Sequence, residues 1–274
     1  MLFIGSGVEM SKLSRKAYQQ QQRVSRRQKW MIIMGLLLCL CVIGLLIFQH
    51  IAGQRQQQKQ FLTKHPVRGL IINQDDSYVD FTQANQDGMK YAYLRASQGA
   101  SFTDDNFNDN YSRSIGSGLR IGVYHQFGFG SSIKGQEKNF VESVGNNIGD
   151  LPIEIRISYY GNYNSHNVKP KKLFNDVNEM TAYLYHKYHR PVLLKTNQRN
   201  YEILKKIPHA QFAITGKQHA KNSKFIGLSN ANQIYDNGKI SEYEMSAFNG
   251  NKVKWEEYLK QLKSDDLEKS NAND

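Results

Sequence analysis

Two stretches, KYAYLRASQG (90–99) and GLRIGVYHQF (118–127), decide the fold. Each contains a short apolar run typical of a buried strand, Lys90–Arg95 in the first and Arg120–Tyr124 in the second. The residues between the two runs are more polar and carry a helical pattern. Strands that alternate with helices favour an α/β fold with a mostly parallel sheet, either open or closed into a barrel. The alternation alone does not distinguish the two.

The same alternation continues in both directions along the chain. Six further strand candidates are Val67–Ile72, Pro152–Ser158, Pro191–Thr196, Gln211–Ile214, Lys224–Leu228 and Ile240–Met245. The clearest helix candidate is Lys171–Tyr188, in which apolar residues recur at helical spacing from Leu173 to Leu184. In folds of this class the chemistry is carried at the carboxyl ends of the strands, so functional residues are expected there.

A separate apolar run, Trp30–Phe48, has 19 residues without a charge, close to the roughly 20 needed to cross a bilayer. Seven Lys or Arg residues precede it against one acid, Glu9, which places the N-terminus in the cytoplasm and the rest outside. The alternative is a cleaved signal peptide, but the run is longer than the usual ~7–15 residues and lacks a small-x-small exit. The predicted organisation is a basic cytoplasmic tail (1–29), a transmembrane helix (30–48), a polar extracellular linker (49–66), a barrel domain (67–263) and a charged flexible tail (264–274).

Charge and cysteine content fit a protein of the cell membrane. The formal net charge is +12, and the basic tail before the apolar run explains half of it through topology and anionic lipid. A nucleic-acid partner is therefore not needed. Both cysteines, Cys39 and Cys41, lie in the apolar run, so the outer domain contains no disulfide. His, Cys and carboxylate residues show no metal-ligand spacing, and no phosphate loop is present, so neither a metal nor a cofactor is predicted.

Five segments, in order between residues 67 and 262, carry a resemblance to a known family. They are Gly69–Asn73 with Asp80-Phe81 (compare G-I-D-V-S and x-D-W), Lys90–Gly99 (F-A-x-I-K-A-T-E-G), Asp105, Phe107 and Asn110 with Gly118–Phe127 (D-x-x-F-x-x-N and G-L-x-x-G-x-Y-H-F), Leu151–Asn162 (P-x-x-x-D-x-E-Y-Y-G-N) and Tyr243–Gly250 (D-L-N-x-F-N-G). Together they resemble the glycoside hydrolase family 25 lysozymes, or N-acetylmuramidases. The resemblance implies a flattened, TIM-like β/α barrel with a groove for peptidoglycan glycan at its carboxyl face.

The resemblance also implies where the catalytic acids should lie, and most of them are replaced. The positions that match the family's acids are occupied by Ile71, Gln98, Arg156, Ser158 and Glu244. Glycoside hydrolysis requires one carboxyl that donates a proton and a second that stabilises or attacks the sugar. An alkyl group, an amide and a hydroxyl do not donate that proton, and a fixed guanidinium opposes the positive charge of the transition state. The sequence therefore predicts that hydrolysis is lost.

Acids that have moved along the chain would change this prediction. Glu154 shares one face of its strand with Arg156, which favours an ion pair, although a relocated catalytic acid is the alternative. Asp75 and Asp76 are predicted turn residues that could reach the rim of the groove. Candidate glycan-binding residues at or near strand ends, each with core packing as the alternative, are Tyr93, Tyr124, His125, Phe127, Tyr159 and Tyr160.

Three functions remain open from the sequence. The first is a membrane-anchored pseudoenzyme that binds peptidoglycan glycan, or a wall-synthesis partner, without cutting it. The second is an active muramidase that uses Glu244 with relocated acids. The third is a non-catalytic scaffold whose groove is blocked and whose partner is a cell-wall protein.

Overall fold

The computed structural model describes residues 29–53, 56, 63–76, 78–215, 223–227, 232–236 and 239–271. The chain divides into two compact units, residues 1–62 and 63–274. In the first unit a single helix, α1, runs from Lys29 to Gly53, and its most apolar window has a mean hydropathy of 3.1. At 1.5 Å per residue, its 25 residues extend about 37 Å, enough to cross a hydrocarbon layer of about 30 Å. The predicted apolar helix is present and is longer than the run 30–48; the predicted cytoplasmic tail lies outside the described residues, apart from Lys29.

The second unit alternates strands with helices. Its strands are β1 Arg68–Ile72, β2 Tyr91–Gln98, β3 Phe102–Thr103, β4 Arg120–Gln126, β5 Ile153–Arg156, β6 Val192–Asn197, β7 Ala210–Thr215, β8 Phe225–Gly227, β9 Asn232–Asp236 and β10 Lys239–Phe248. Its helices are α2 Phe81–Gln86, α3 Phe107–Ser114, α4 Ile133–Val144, α5 Pro170–Tyr188, α6 Gln198–Leu204 and α7 Lys252–Asn271. A strand overlaps each of the eight strand candidates, and α5 coincides with the clearest predicted helix.

Eight of these strands close into a barrel. Around the barrel they follow the order β1, β2, β4, β5, β6, β7, β8 and β10, and β10 pairs again with β1. The first seven are parallel to one another, whereas β10 is antiparallel to both of its neighbours. The closed barrel was one of the two arrangements that the alternation allowed, and the one that the family resemblance predicted.

The barrel has apolar packing on both sides of its wall because strand side chains alternate between its two faces. Outward residues such as Leu70, Leu94 and Ile155 are buried together with the apolar faces of α4 and α5. Inward residues form a second buried cluster that includes Ile71, Tyr93 and Leu193 together with Trp255 and Tyr258 of α7. Helix α7 thus closes the amino end of the barrel with aromatic side chains, and the inward charged residues lie towards the other end.

Two predicted segments differ from the structure. Helix α7 continues to Asn271, so residues 264–271 are helical and not the flexible tail that was predicted. Lys, Leu and Glu are good helix formers, and an existing helix extends without needing an apolar face. In the predicted linker, Gln49–Gly53 belong to α1 and Thr63 and Lys64 are helical, while 57–62 lie outside the described residues.

Gly69 offers a test of the barrel interior. A Cβ at this position would lie 2.1–2.5 Å from ring atoms of Tyr91. Tyr91 cannot move easily because its hydroxyl bonds Ser246 at 2.8 Å and its ring contacts Phe225 and Trp255. We expect Gly69→Ala to lower the free energy of unfolding by about 1–3 kcal/mol, measured by urea denaturation in neutral detergent. An unchanged transition midpoint would contradict this packing.

Candidate functional site

The carboxyl end of the barrel holds a network of four charged side chains. Arg156 Nη1 donates to Glu244 Oε2 at 2.8 Å, and its Nε and Nη2 atoms lie 3.3 Å from Glu154 Oε1. Lys195 Nζ donates to the other oxygen of Glu244 at 2.6 Å. The guanidinium also lies over the ring of Tyr124, 4.2 Å from its centroid. Arg156 therefore joins the two carboxylates and excludes them from acting as an independent pair.

The strands position these residues by alternation and register. Glu154 and Arg156 are two positions apart on β5 and so share its inward face, and Arg156 is paired in register with Lys195 on β6. Glu154 and Lys195 are only 2% and 3% exposed. Because an unpaired charge in such a place costs several kcal/mol, the ion pairs are a condition of burying these residues. The predicted ion pair between Glu154 and Arg156 is confirmed.

The network fixes the protonation states of its members. Burial opposes the charge of Arg156, but Tyr124, Glu154 and Glu244 raise its pKa above the ordinary value. Burial lowers the pKa of Lys195, and the nearby Arg156 cation lowers it further. Burial alone would raise the pKa of Glu244, yet Lys195 and Arg156 hold it below its usual value. Glu244 is therefore an ionised carboxylate near neutral pH, which is the opposite of what a proton donor requires.

The lowered pKa of Glu244 predicts how stability depends on pH. A carboxyl with a lower pKa in the folded chain stabilises the fold above its unfolded pKa, and this contribution is lost as the pH falls through the folded pKa. We expect the wild type to lose thermal stability below about pH 4.5, the ordinary value, more steeply than Glu244→Gln. Thermal midpoints of both proteins across this range measure the difference. Parallel profiles would contradict the assignment.

The other positions that match the family's acids lie around this network. Ile71 is fully buried and is the register partner of Glu244 across the β1–β10 pair. Ser158 is exposed at the rim, where its Oγ accepts a hydrogen bond from Gln126 Nε2 at 3.0 Å. Gln98 ends β2 and is half-buried beside Gln126. The structure thus brings Ile71, Arg156 and Glu244 together, with Ser158 and Gln98 further out.

A second polar cluster follows β1. Asp76 Oδ2 accepts from the backbone N–H of Asn73 at 2.7 Å, as expected of a turn residue. Burial raises the pKa of Asp76, and the negative charges of Asp75 and Glu244 raise it further. Asp75 is largely exposed and lies 3.7 Å from a guanidinium nitrogen of Arg95. Asp76 is therefore the acid at this end of the barrel best placed to hold a proton.

Sequence reasoning missed three charged residues at this end. Lys195 was overlooked, although a lysine within the apolar run PVLLKT, two positions after Leu193, is the signal of an inward charge. Arg95 Nε donates to Asp104 Oδ2 at 2.7 Å, and Asp104 is 3% exposed. Asp104, three positions before Phe107, therefore fits the D-x-x-F spacing; the resemblance had been assigned to Asp105.

Four of the six predicted glycan-binding residues require correction. Tyr93, Tyr124, His125 and Phe127 are between 0% and 2% exposed. Tyr93 points into the barrel, where its hydroxyl donates to the Pro152 carbonyl at 3.1 Å. A ring that does not reach the surface has no face for a sugar, so these four residues pack the protein. Position at a strand end did not reveal on which side of the wall each ring lies.

His125 lies on the outer side of the wall. Its Nδ1 is hydrogen-bonded to Ser97 at 2.9 Å and its Nε2 to Gln136 at 3.1 Å. Burial lowers the pKa of His125 to about 4, although the bond to Gln136 opposes this shift. The imidazole is therefore neutral near pH 7 and links β2, β4 and α4. It takes no part in the charged network.

The other two predicted aromatics, Tyr159 and Tyr160, lie on the loop after β5 with two further rings. We call Phe129, Tyr159, Tyr160 and Tyr163 the aromatic patch. Phe129 stacks on Tyr159 at 5.3 Å and 22°, and on Tyr163 at 5.5 Å and 29°. Tyr160 packs at the edge of Tyr163 and is 39% exposed. This patch offers ring faces and phenol hydroxyls at the rim near Ser158.

Comparison with known proteins agrees with the closed barrel. The sequence profile described as Glycosyl hydrolases family 25 matches residues 72–225. The autolytic lysozyme of Clostridium acetobutylicum is 32% identical over 59 residues, and lysozyme M1 of Streptomyces globisporus is 29% identical over 59 residues. Each match covers 22% of this chain but only 18% and 20% of the respective relative, so the chain matches about a fifth of their length.

Solved structures share the fold over most of their length. A family 25 glycosyl hydrolase from Bacillus anthracis superposes with a TM-score of 0.64 at 22% identity, covering 70% of this chain and 93% of that one. A bacterial lysozyme from Streptomyces coelicolor gives a TM-score of 0.57 at 17% identity, covering 69% and 94%. At these identities the likeness concerns the fold. Because the family profile spans more than half of the sequence, this chain belongs to family 25 of the glycosyl hydrolases.

Proposed function

We propose that this chain is a membrane-anchored member of family 25 that binds peptidoglycan glycan outside the cell without hydrolysing it. The single observation that carries the loss of hydrolysis is the position of Arg156. This residue occupies the place of the aspartate in the family's D-x-E pair, and its guanidinium contacts both Glu154 and Glu244. A positive charge fixed there opposes the oxocarbenium-like transition state and leaves neither carboxylate free.

Charge balance supports the same conclusion. The network contains two cations and two carboxylates, so it is neutral as a unit. Glu154 is almost fully buried, and Glu244 is held in its ionised form. Protonation of a leaving oxygen needs a carboxyl that is both exposed to the cleft and partly protonated near neutral pH. Neither glutamate meets both conditions.

Glycan binding is supported by the rim of the barrel. The aromatic patch has exposed ring surface, and sugar rings pack their apolar faces against aromatic rings of this kind. Beside it, Gln98, Gln126 and Ser158 offer amide and hydroxyl groups for sugar hydroxyls. These groups bind neutral sugars without any acid. Anchoring is supported by the length and apolarity of α1 and by the basic residues that precede it.

The test uses the full chain in neutral detergent. We expect it to sediment with insoluble peptidoglycan while releasing no new reducing ends, under conditions in which an active muramidase does release them. Tyr160→Ala with Tyr163→Ala should weaken retention severalfold through lost stacking. Ile115→Ala, which removes an exposed apolar side chain at the end of α3, should not. Absence of retention would favour the blocked scaffold, and hydrolysis would refute the proposal.

One observation favours a second candidate, an active muramidase. The pKa of Asp76 is raised by burial and by Asp75 and Glu244, which is the direction that a general acid requires. In that case Asp76 would donate the proton and Glu244 would stabilise the sugar cation. Glycan release that is abolished by both Asp76→Asn and Glu244→Gln would establish this function.

A further inference from the structure

The amino end of the barrel, opposite the aromatic patch, is rich in basic residues. Five of the seven parallel strands begin at a basic residue or within two positions after one. These residues are Arg68 at β1, Lys90 before β2, Arg120 at β4, Arg190 before β6 and Lys224 before β8. Parallel strands point the same way, so their first residues share one end of the barrel. We call this surface, together with the first turn of α7, the basic end.

Helix α7 adds further cations and an apolar side chain to the basic end. Trp255 packs against Tyr91 and Phe248 inside the barrel, which fixes the start of α7 across this end. Lys252 and Lys254 are exposed, and Val253 between them is 65% exposed. An exposed aliphatic side chain flanked by lysines suits the boundary between water and lipid headgroups.

A cavity of about 480 Å³ opens between α7 and the start of β8. Its lining includes Lys224, Lys254, Asn249, Phe248, Tyr258 and Glu257. Two ammonium groups thus accompany one carboxylate, and the Lys224 ammonium lies 5.6 Å from the ring centroid of Tyr258. The volume is within the range of about 300–1,000 Å³ typical of small-molecule sites. Cations above aromatic rings, with an amide beside them, match a phosphodiester attached to a small polyol.

We propose that the basic end binds anionic phospholipid headgroups, with a headgroup phosphate in the cavity between Lys224 and Lys254. Lipid is chosen over a wall polymer because the chain enters β1 at this end only nine residues, 54–62, after the described part of α1 at Gly53 and Gln56 is set aside as part of that connection. Attachment there would leave the opposite, glycan-facing end free. The inference goes beyond glycan binding and uses the proposed anchor only to select lipid as the occupant.

The experiment compares the full chain in nanodiscs of phosphatidylcholine with the chain in nanodiscs that also contain phosphatidylglycerol. Amide hydrogen exchange is followed over 223–227 and 252–263. We expect slower exchange in the anionic discs, by about fivefold for each lysine engaged, and loss of this protection in high salt. Lys224→Gln with Lys254→Gln should abolish it. Lys169→Gln with Lys171→Gln, exposed lysines at the opposite end of the barrel, should leave it unchanged.

Several results would overturn the proposal. One is equal exchange in the two kinds of disc. Another is protection produced by soluble polyglycerol phosphate but not by phosphatidylglycerol, which would assign the surface to a wall polymer. If the Lys224/Lys254 variant fails to fold, the salt dependence of the wild type in anionic discs decides, because salt-insensitive protection is not electrostatic. Retention on peptidoglycan is measured separately, so failure here leaves the proposed function untouched.

Discussion

Replacing Arg156 with Met is expected to lower the free energy of unfolding by about 3–5 kcal/mol. The substitution keeps an unbranched side chain but removes the cation that contacts Glu154 and Glu244. Glu154 is 2% exposed and has no other ion pair within 4 Å among the residues described, so its charge would be buried without a direct partner. Urea unfolding of the chain in neutral detergent measures the loss.

The loss should depend on pH in a defined direction. Without Arg156, burial would raise the folded pKa of Glu154 above its unfolded value, so the variant recovers stability as the pH falls and Glu154 is protonated. Adding Glu154→Gln should recover about 2 kcal/mol at neutral pH, because a neutral amide costs less to bury than an unpaired carboxylate. A loss below about 1 kcal/mol that is the same at every pH would show that the network does not hold the barrel mouth together.

The sequence predicted local relationships within this site better than distant ones. Glu154 and Arg156 are two positions apart, so strand alternation alone placed them on one face and predicted their ion pair. The contacts from Glu244 to Lys195 and Arg156 join residues 49 and 88 positions apart. They depend on closure of the barrel through β10, and no local pattern encodes that closure. Lys195 was therefore missed, although its strand was predicted.

The aromatic residues show the same limit from another direction. Residues near a strand end lie on either side of the barrel wall, and alternation separates neighbours such as Tyr124, which points inward under Arg156, from His125, which packs on α4. Their burial follows from what covers each side. Tyr159 and Tyr160 follow the end of β5, where no strand buries them, and their stacking on Phe129 brings together loops about 30 residues apart. Composition and spacing carry no signal for that contact.

Restoring the family's two carboxyls is expected to create hydrolysis. In Arg156→Asp with Ser158→Glu, the guanidinium is removed and an acid is placed at the exposed rim position, where Ser158 now meets only Gln126 among its printed neighbours in the structure. Lys195 remains to balance the added charge beside Glu244. A positioned general acid contributes about 10²–10⁴ in rate, so release of reducing ends from purified peptidoglycan should rise at least about 100-fold above the wild-type background.

Two matched variants isolate the cause of that gain. Ser158→Glu alone retains the Arg156 cation, which lowers the pKa of a nearby carboxyl and opposes charge on the sugar, so it should stay inactive. Arg156→Asp with Ser158→Gln has the same volume at the rim but no proton to donate, and it should stay inactive too. Activity confined to the double-carboxyl protein would show that the groove still accepts glycan in a reactive position and that Arg156 and Ser158 are what stop the reaction. Equal inactivity of all three, with circular dichroism showing an intact fold, would instead place the block in the shape of the groove.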